Sequence, residues 1–267
     1  MPASGRSQVR TRAGPSQALP EDPAIRLAFT DRAVGNVSFV VGDGDPSRAR
    51  ARALALVGLS PHAAVFMEQV HGDRVMQVGP AERGRGVRSR GDAMPATDAL
   101  VTTADDVGLV VLVADCVPVL LAAPGRGVAA AHAGRRGIEA GLLRRTVETL
   151  RAATRAAPDE LVALLGPAIG GCCYEVPGAL ADQVAAVEPT ARATTAWGTP
   201  ALDLPRAADA QLRRLGLGRI ERVEACTRCE SDTWYSHRAT TGWGADAGRQ
   251  AGLIARVPAC SAGPSLH

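Results

Sequence analysis

Lysine is absent from all 267 residues, and each of the 30 basic positions is arginine. This excludes Schiff-base lysine catalysis, pyridoxal chemistry of the usual kind and a P-loop lysine on a nucleotide phosphate. Asparagine is nearly absent too: Asn36 stands alone, so side-chain amides have little part in oxyanion or purine contacts. Histidine is sparse at five residues, one of them the terminal His267, too few for a multinuclear copper cluster. No apolar leader is visible: MPASGRSQVRTRAGPSQALPEDP is polar and rich in Pro, Ser and Arg, and residues 1–23 are expected to be a disordered extension. The longest apolar run, Val107 to Ala123, contains Asp115 and Pro118 and is too short to span a bilayer. A formal charge of +3 calls for neither nucleic acid nor a membrane surface. These absences point to a soluble cytoplasmic protein acting on small molecules, of unspecified oligomeric state.

A chain of this length is one large domain or two ordinary ones. Its 46% hydrophobic content can fill a substantial core. With no internal repeat and no evident linker, residues 24–258 read as a single catalytic domain and 259–267 as a flexible tail. The apolar patterning predicts two short strands around a Gly-Asn turn over 24–41, a helix over 45–58, and a strand over 64–70 that delivers His71. Further strands are expected near 74–78, 99–102, 108–114, 119–122, 128–132, 161–169, 220–226 and 247–257, with a short piece at 234–237. Helices are expected over 138–153, 179–187 and 203–215. The fold class is therefore α/β (α+β), a layered domain of mixed β-sheets flanked by helices.

Two of the apolar runs carry one metal-capable side chain each. Cys116 interrupts LVVLVADCVPVLLAA beside Asp115, and His132 interrupts GVAAAHAG just before a glycine turn that opens a helix. His71 closes a third apolar stretch in MEQVHGDRV. Two imidazoles and a thiolate suit Zn²⁺ and accept copper. Three protein ligands leave a position for water, whose acidity zinc raises toward neutrality. The same three residues also read as one buried cysteine and two satisfied core histidines. A third reading needs no metal: Cys116 as nucleophile, His132 or His71 as its base, and Asp98 or Asp115 orienting the imidazole. Among the other cysteines, Cys226 and Cys229 form a Cys-x-x-Cys pair, whereas Cys172 and Cys173 on an extended chain point their thiols apart. All four are read as structural.

Six motifs in order, QVHG (69–72), DALVT (98–102), ADCVPVLL (114–121), AAHAG-x-RG (130–137), LLGPAIGGCCYEV (164–176) and CT…WYSHR (226–238), resemble one family. It is named both for multicopper polyphenol oxidase (laccase-domain) proteins and for purine nucleoside phosphorylases of the zinc type. The resemblance implies a layered fold related to proposed cysteine hydrolases, and metal ligation by His71, Cys116 and His132. It implies phosphorolysis of adenosine, inosine, guanosine and methylthioadenosine, together with adenosine deamination; older naming implies copper-dependent phenol oxidation, and some members are linked to editing of peptidoglycan precursors. Toward that chemistry, Glu175 in CCYEV is the candidate proton shuttle, alternatively a turn-capping surface carboxylate. Arg136 is the candidate phosphate ligand, alternatively a solvated arginine at a helix start, with Arg238 and Arg249 behind it. His237 is expected to hydrogen-bond locally. Four features depart from the family pattern: Arg135 stands where the family usually has Trp, the segment DRAVGNVSFVVGDGD is shortened, the helix SRARARALALVG lacks the usual Asn, and TTGWGADAGRQ is longer than the family's turn ahead of Arg249.

Overall fold

The computed structural model describes residues 17–257. In chain order the elements are β1 (Gln17–Leu19), β2 (Asp22–Phe29), α1 (Ser47–Leu56), β3 (Ala64–Phe66), β4 (Val75–Gln77), β5 (Ala99–Thr102), β6 (Gly108–Val113), β7 (Val117–Ala123) and β8 (Gly127–Ala133). There follow α2 (Arg135–Ala140), α3 (Leu142–Thr154), β9 (Val162–Leu165), α4 (Gly178–Val187), β10 (Arg192–Thr194), β11 (Pro200–Leu202), α5 (Leu204–Arg214), β12 (Arg219–Arg222), α6 (His237–Trp243) and β13 (Gln250–Arg256).

Two mixed sheets carry the architecture. One has the order β1-β2-β13-β6-β3 and the other β12-β9-β7-β8-β5-β4, with β10-β11 as a separate ribbon. Strand alternation explains why they stack. On β6, Leu109 and Val111 face the second sheet, and on β7 and β8 Leu120, Val128 and Ala130 face back toward the first, forming one apolar seam with Leu27 and Ile254. Val119, Leu121, Ala129 and Ala131 face the other way and pack under α3, α4 and α5 through Leu143, Val147, Val184 and Leu212. The outer face of the first sheet, with Val110 and Leu253, is covered by Ala53 and Leu54 of α1. Strands covered on both faces lose polar alternation, which is why β7 and β8 read as unbroken apolar runs. Alanines on β8 keep its outer face low, so α3 seats directly on it.

Several expectations change. Only β2 forms where two strands were expected over 24–41. The single asparagine explains the difference: Asn36 Nδ2 donates to Val41 O at 2.6 Å and its Oδ1 accepts from Ser38 N at 3.0 Å, closing the segment into a turn that no strand can pair with. The helix expected over 138–153 is two helices, α2 and α3, parted at Gly141, whose φ of 80° is left-handed. The piece expected at 234–237 ends in a helix, α6, capped by Ser236 Oγ accepting from Ala239 N at 3.1 Å. Residues 17–23, expected to belong to a disordered extension, instead contribute to strands: β1 pairs antiparallel with β2. Residues 1–16, the tail 259–267 and Cys260 lie outside the described residues. No helix among the described residues is long and apolar enough to cross a membrane.

Candidate metal centre

The three candidate ligands come from different places and meet at one end of the seam. Beyond β3 the chain leaves the first sheet, and Gln69 docks it back: its Nε2 donates to Leu112 O at 2.7 Å and its Oε1 accepts from Leu112 N at 2.8 Å. His71 follows in a left-handed conformation, φ 63°. It therefore sits in a loop well beyond the strand expected to deliver it, because β3 stops at Phe66 and not at residue 70. Cys116 follows Asp115 in the crossover from β6 to β7. Asp115 is also left-handed, φ 86°, and both carboxylate oxygens are engaged, accepting from Thr227 Oγ1 and from Arg238 N at 2.7 Å each. His132 lies near the end of β8, opposite Pro118 of β7.

One buried carboxylate orders this arrangement. Asp98 Oδ1 lies 2.8 Å from His132 Nδ1 and accepts from His71 N at 3.0 Å. Its Oδ2 accepts from Gly72 N at 2.8 Å and Val70 N at 3.2 Å. Of the two aspartates considered for orienting an imidazole, the structure selects Asp98, and Asp115 instead ties down the Cys116 crossover. With Nδ1 engaged, Nε2 is the His132 nitrogen left for an ion. Ligand atoms of His71, Cys116 and His132 all lie within 4.8 Å of one another, and the two imidazoles meet edge to face at 4.7 Å. Gly134 keeps the space open: a Cβ there would stand 3.0 Å from His71 Cδ2 and 3.1 Å from Cys116 Sγ.

Electrostatics set the protonation states. Burial pushes the Cys116 thiol up, but the neighbouring His132 and His71 outweigh it and bring it down to about 6. Burial pulls His132 down, but the Cys116 thiolate and Asp98 raise it to about 9. Asp98 is held below the ordinary carboxylate range because the His132 and backbone N–H bonds outweigh its burial. Without metal the centre is thus a thiolate beside an imidazolium. Its donor set of two nitrogens and one sulfur, with the tautomer fixed and a cradle kept clear by glycine, fits a zinc-type ion.

Above the centre opens a cavity of about 510 Å³. Its wall carries six arginines, Arg50, Arg90, Arg135, Arg136, Arg238 and Arg249, against a single carboxylate, Asp115, so it favours anions. Arg136 is exposed and lines the cavity. Arg238 and Arg249 line it too; burial lowers the pKa of Arg249 against the pull of Cys116 and Asp115. Glu175 does not belong to the lining: it is exposed, its Oε2 accepts from Trp197 Nε1 at 2.8 Å, and its carbonyl accepts from Arg238 Nη1 at 2.9 Å. The chain turns outward after Tyr174, and this takes the Glu175 carboxylate away from the cleft.

Other lining residues escaped the sequence reading. Tyr174 and His237 both face the cavity, whereas His237 was expected only to hydrogen-bond locally. Arg50 is sandwiched between the rings of Phe39 and Phe66, 4.1 Å from each centroid. It also donates to Val37 O at 2.8 Å and to Gly86 O, clamping the rim. The clue was a charged residue on the apolar face of α1, which resembles a surface arginine in an Ala/Arg helix.

With this geometry in hand, comparison with known proteins is decisive. The family model described as multi-copper polyphenol oxidoreductase laccase matches residues 30–257. The chain belongs to that family. Among its relatives, a Streptomyces coelicolor protein named purine nucleoside phosphorylase is 45% identical over 230 residues, covering 81% of this chain and 91% of that one. A Mycobacterium tuberculosis protein of the same name is 42% identical over 243 residues, covering 86% and 91%. The crystal structure of YlmD from Geobacillus stearothermophilus shares the fold with a TM-score of 0.82 at 30% identity, covering 93% of this chain and 98% of that one. The layered mixed-sheet architecture expected of this family is borne out. The word multi-copper in the family's description is not matched by histidines here: His71 and His132 are the two imidazoles of the centre among the described residues.

Proposed function

We propose that this family member is a zinc-dependent purine nucleoside enzyme. It cleaves adenosine, inosine, guanosine and methylthioadenosine with phosphate, and deaminates adenosine. The observation that carries the reading is the convergence of His71, Cys116 and His132 at the base of an arginine-lined cavity. Relatives named purine nucleoside phosphorylase supply the substrate class. A cavity of about 510 Å³ lies within the range of small-ligand sites, about 300–1,000 Å³.

Zinc held by the three ligands supplies a Lewis acid and an acidified water. The protein's residues do the rest. Asp98 orients His132 and, through the three backbone N–H groups it collects, the His71 loop. Arg136, aided by Arg238, receives phosphate through paired charge-assisted bonds. In phosphorolysis a phosphate oxygen bonds to C1′ as the C1′–N9 bond breaks, and the departing base takes up a proton. His237, the one cavity imidazole outside the ligand set, is placed to carry that proton. In deamination, water adds at C6 and ammonia leaves. Phe39, stiffened by Arg50, offers an aromatic ring to the purine.

The test is metal quantification of the purified chain alongside product analysis with adenosine, with and without phosphate. Adenine and ribose 1-phosphate report phosphorolysis, and inosine alone reports deamination. A zinc-loaded protein that turns over none of these nucleosides overturns the reading. A blue copper absorbance with several coppers per chain would restore the oxidase reading instead.

A second reading has its own observation. Cys116, His132 and Asp98 are ordered as nucleophile, base and orienting carboxylate, and the thiol is depressed to about 6. A metal-free cysteine hydrolase built on them, including one that edits peptidoglycan precursors, would be indifferent to chelators and abolished by thiol alkylation. The zinc enzyme loses activity on chelation and regains it with zinc.

A further inference from the structure

Four cysteines outside the proposed catalytic centre converge next to Tyr174, a residue that lines the cavity. Cys172 and Cys173 do not lie on an extended chain, as the sequence suggested. They sit in a tight turn in which Cys173 N and Tyr174 N both donate to Gly170 O at 3.0 Å, and this brings both thiols to the same side. The turn containing Cys226 and Cys229 delivers the other two. All four sulfurs lie within 4.8 Å of one another; Cys229 Sγ is 3.3 Å from Cys173 Sγ and 3.7 Å from Cys172 Sγ. A tetrahedral zinc with Zn–S bonds of about 2.3 Å holds its sulfurs about 3.8 Å apart, so little movement separates this cluster from a coordination shell.

The surrounding backbone suits thiolates. Gly170 N donates to Cys226 Sγ at 3.3 Å, and the backbone N–H groups of Arg228 and Cys229 also bond to that sulfur. A Cβ at Gly170 would meet Cys172 Sγ at 3.3 Å and Cys226 Cβ at 3.6 Å, so glycine leaves room for the loops to close on a common point. Arg228, inside the Cys-x-x-Cys pair, donates to Cys173 O at 3.4 Å and sets a positive charge beside what four thiolates and one Zn²⁺ would make a dianion. A disulfide would use two sulfurs and leave the gathering of the other two without a purpose.

We propose that Cys172, Cys173, Cys226 and Cys229 form a second zinc site, closed and structural. Zn²⁺ binds as the four thiols release their protons to solvent, with no change of oxidation state and no position left for substrate. Segment 223–236 has no helix and, apart from a single bridge at Cys226, no strand pairing, so it lacks the ladder bonds that hold other parts of the chain. It nevertheless carries Thr227, which fixes Asp115, while the 170–173 turn leads into Tyr174. The ion joins these two loops and so braces one wall of the cavity.

The experiment is zinc quantification on the full chain, purified under reducing, chelator-free conditions, with two variants. Wild type holds two zinc ions per chain. The C172S/C173S/C226S/C229S variant keeps one. H71A/H132A, which leaves the cluster intact, also keeps one, and on replacement by Co²⁺ shows the intense tetrahedral thiolate spectrum that the four-serine variant lacks. If the four-serine variant does not fold, H71A/H132A decides alone. A folded H71A/H132A chain free of zinc overturns the site. So does an intact mass lighter by two hydrogens with a bridge mapped to Cys173–Cys229 in wild type.

Discussion

Replacing Asp98 by asparagine changes one buried carboxylate by a single atom, yet it reaches every part of the centre. Both oxygens are used: Oδ1 by His71 N and His132 Nδ1, Oδ2 by Gly72 N and Val70 N. An amide presents one oxygen and one N–H₂ group, so one pair of donors must lose its acceptor. If the amide nitrogen takes the Oδ2 position, Gly72 N–H and Val70 N–H face another donor, and the His71 loop loses its anchor. If it takes the Oδ1 position, His71 N–H is orphaned and His132 Nδ1 must accept, which moves the ring proton to Nε2 and aims it at the ion. Either way a buried donor left unpaired costs about 1–3 kcal/mol. One orientation orphans two such donors and the other one, so the loss is about 1–6 kcal/mol, or a fall in Tm of roughly 2–24 °C for a domain of this size. Loss of a carboxylate behind a ligating histidine costs about 10–100-fold in metal affinity. Competition titration against a zinc indicator and a thermal melt of the metal-free protein measure the two effects separately. Zinc affinity within twofold of wild type, together with an unchanged melting temperature, would refute the assignment of Asp98 as the organising group.

Three further outcomes are expected. In metal-free protein, alkylation of Cys116 should rise with pH around a midpoint near 6, because the depressed thiol is already ionised above it; zinc should protect it, and H132A should move the midpoint upward once the partner cation is gone. Gly134→Ala places a methyl 3.0 Å from His71 Cδ2 and 3.1 Å from Cys116 Sγ, so zinc bound at the centre should fall markedly with little change in circular dichroism. Arg136→Ala should raise KM for phosphate by about 10–100-fold, the value of one charge-assisted contact of about 1.5–3 kcal/mol, with a smaller effect on adenosine deamination.

The three candidate ligands were legible because each interrupts or closes an apolar run of the sequence. His132 shows this most clearly, as the one imidazole in GVAAAHA on a strand buried on both faces. The strands of the second sheet were legible for the same reason, since apolar cover on both sides leaves little ambiguity. Positions whose meaning depends on distant partners were not legible. Asp98 lies 34 residues from His132, and nothing local distinguished it from Asp115. Cys172 and Cys173 were misjudged because the thiol directions depend on whether the backbone is extended or turned, and the Gly170 carbonyl decides that. The 36–41 segment alternates like a strand, but an asparagine capturing Val41 O removes it from any sheet. Arg50 could not be recognised before the two phenylalanines that enclose it were brought together.

The centre's ligands straddle the two stacked sheets. His71 leaves the first sheet beyond β3, His132 stands on β8 of the second, and Cys116 lies on the crossing from β6 to β7 that joins them. An ion gripped by all three would act as a rivet through two leaves whose facing sides meet mainly through apolar side chains. Loading it should therefore stiffen the molecule as a whole, and stripping it should let the leaves part first at the very edge where the cleft opens.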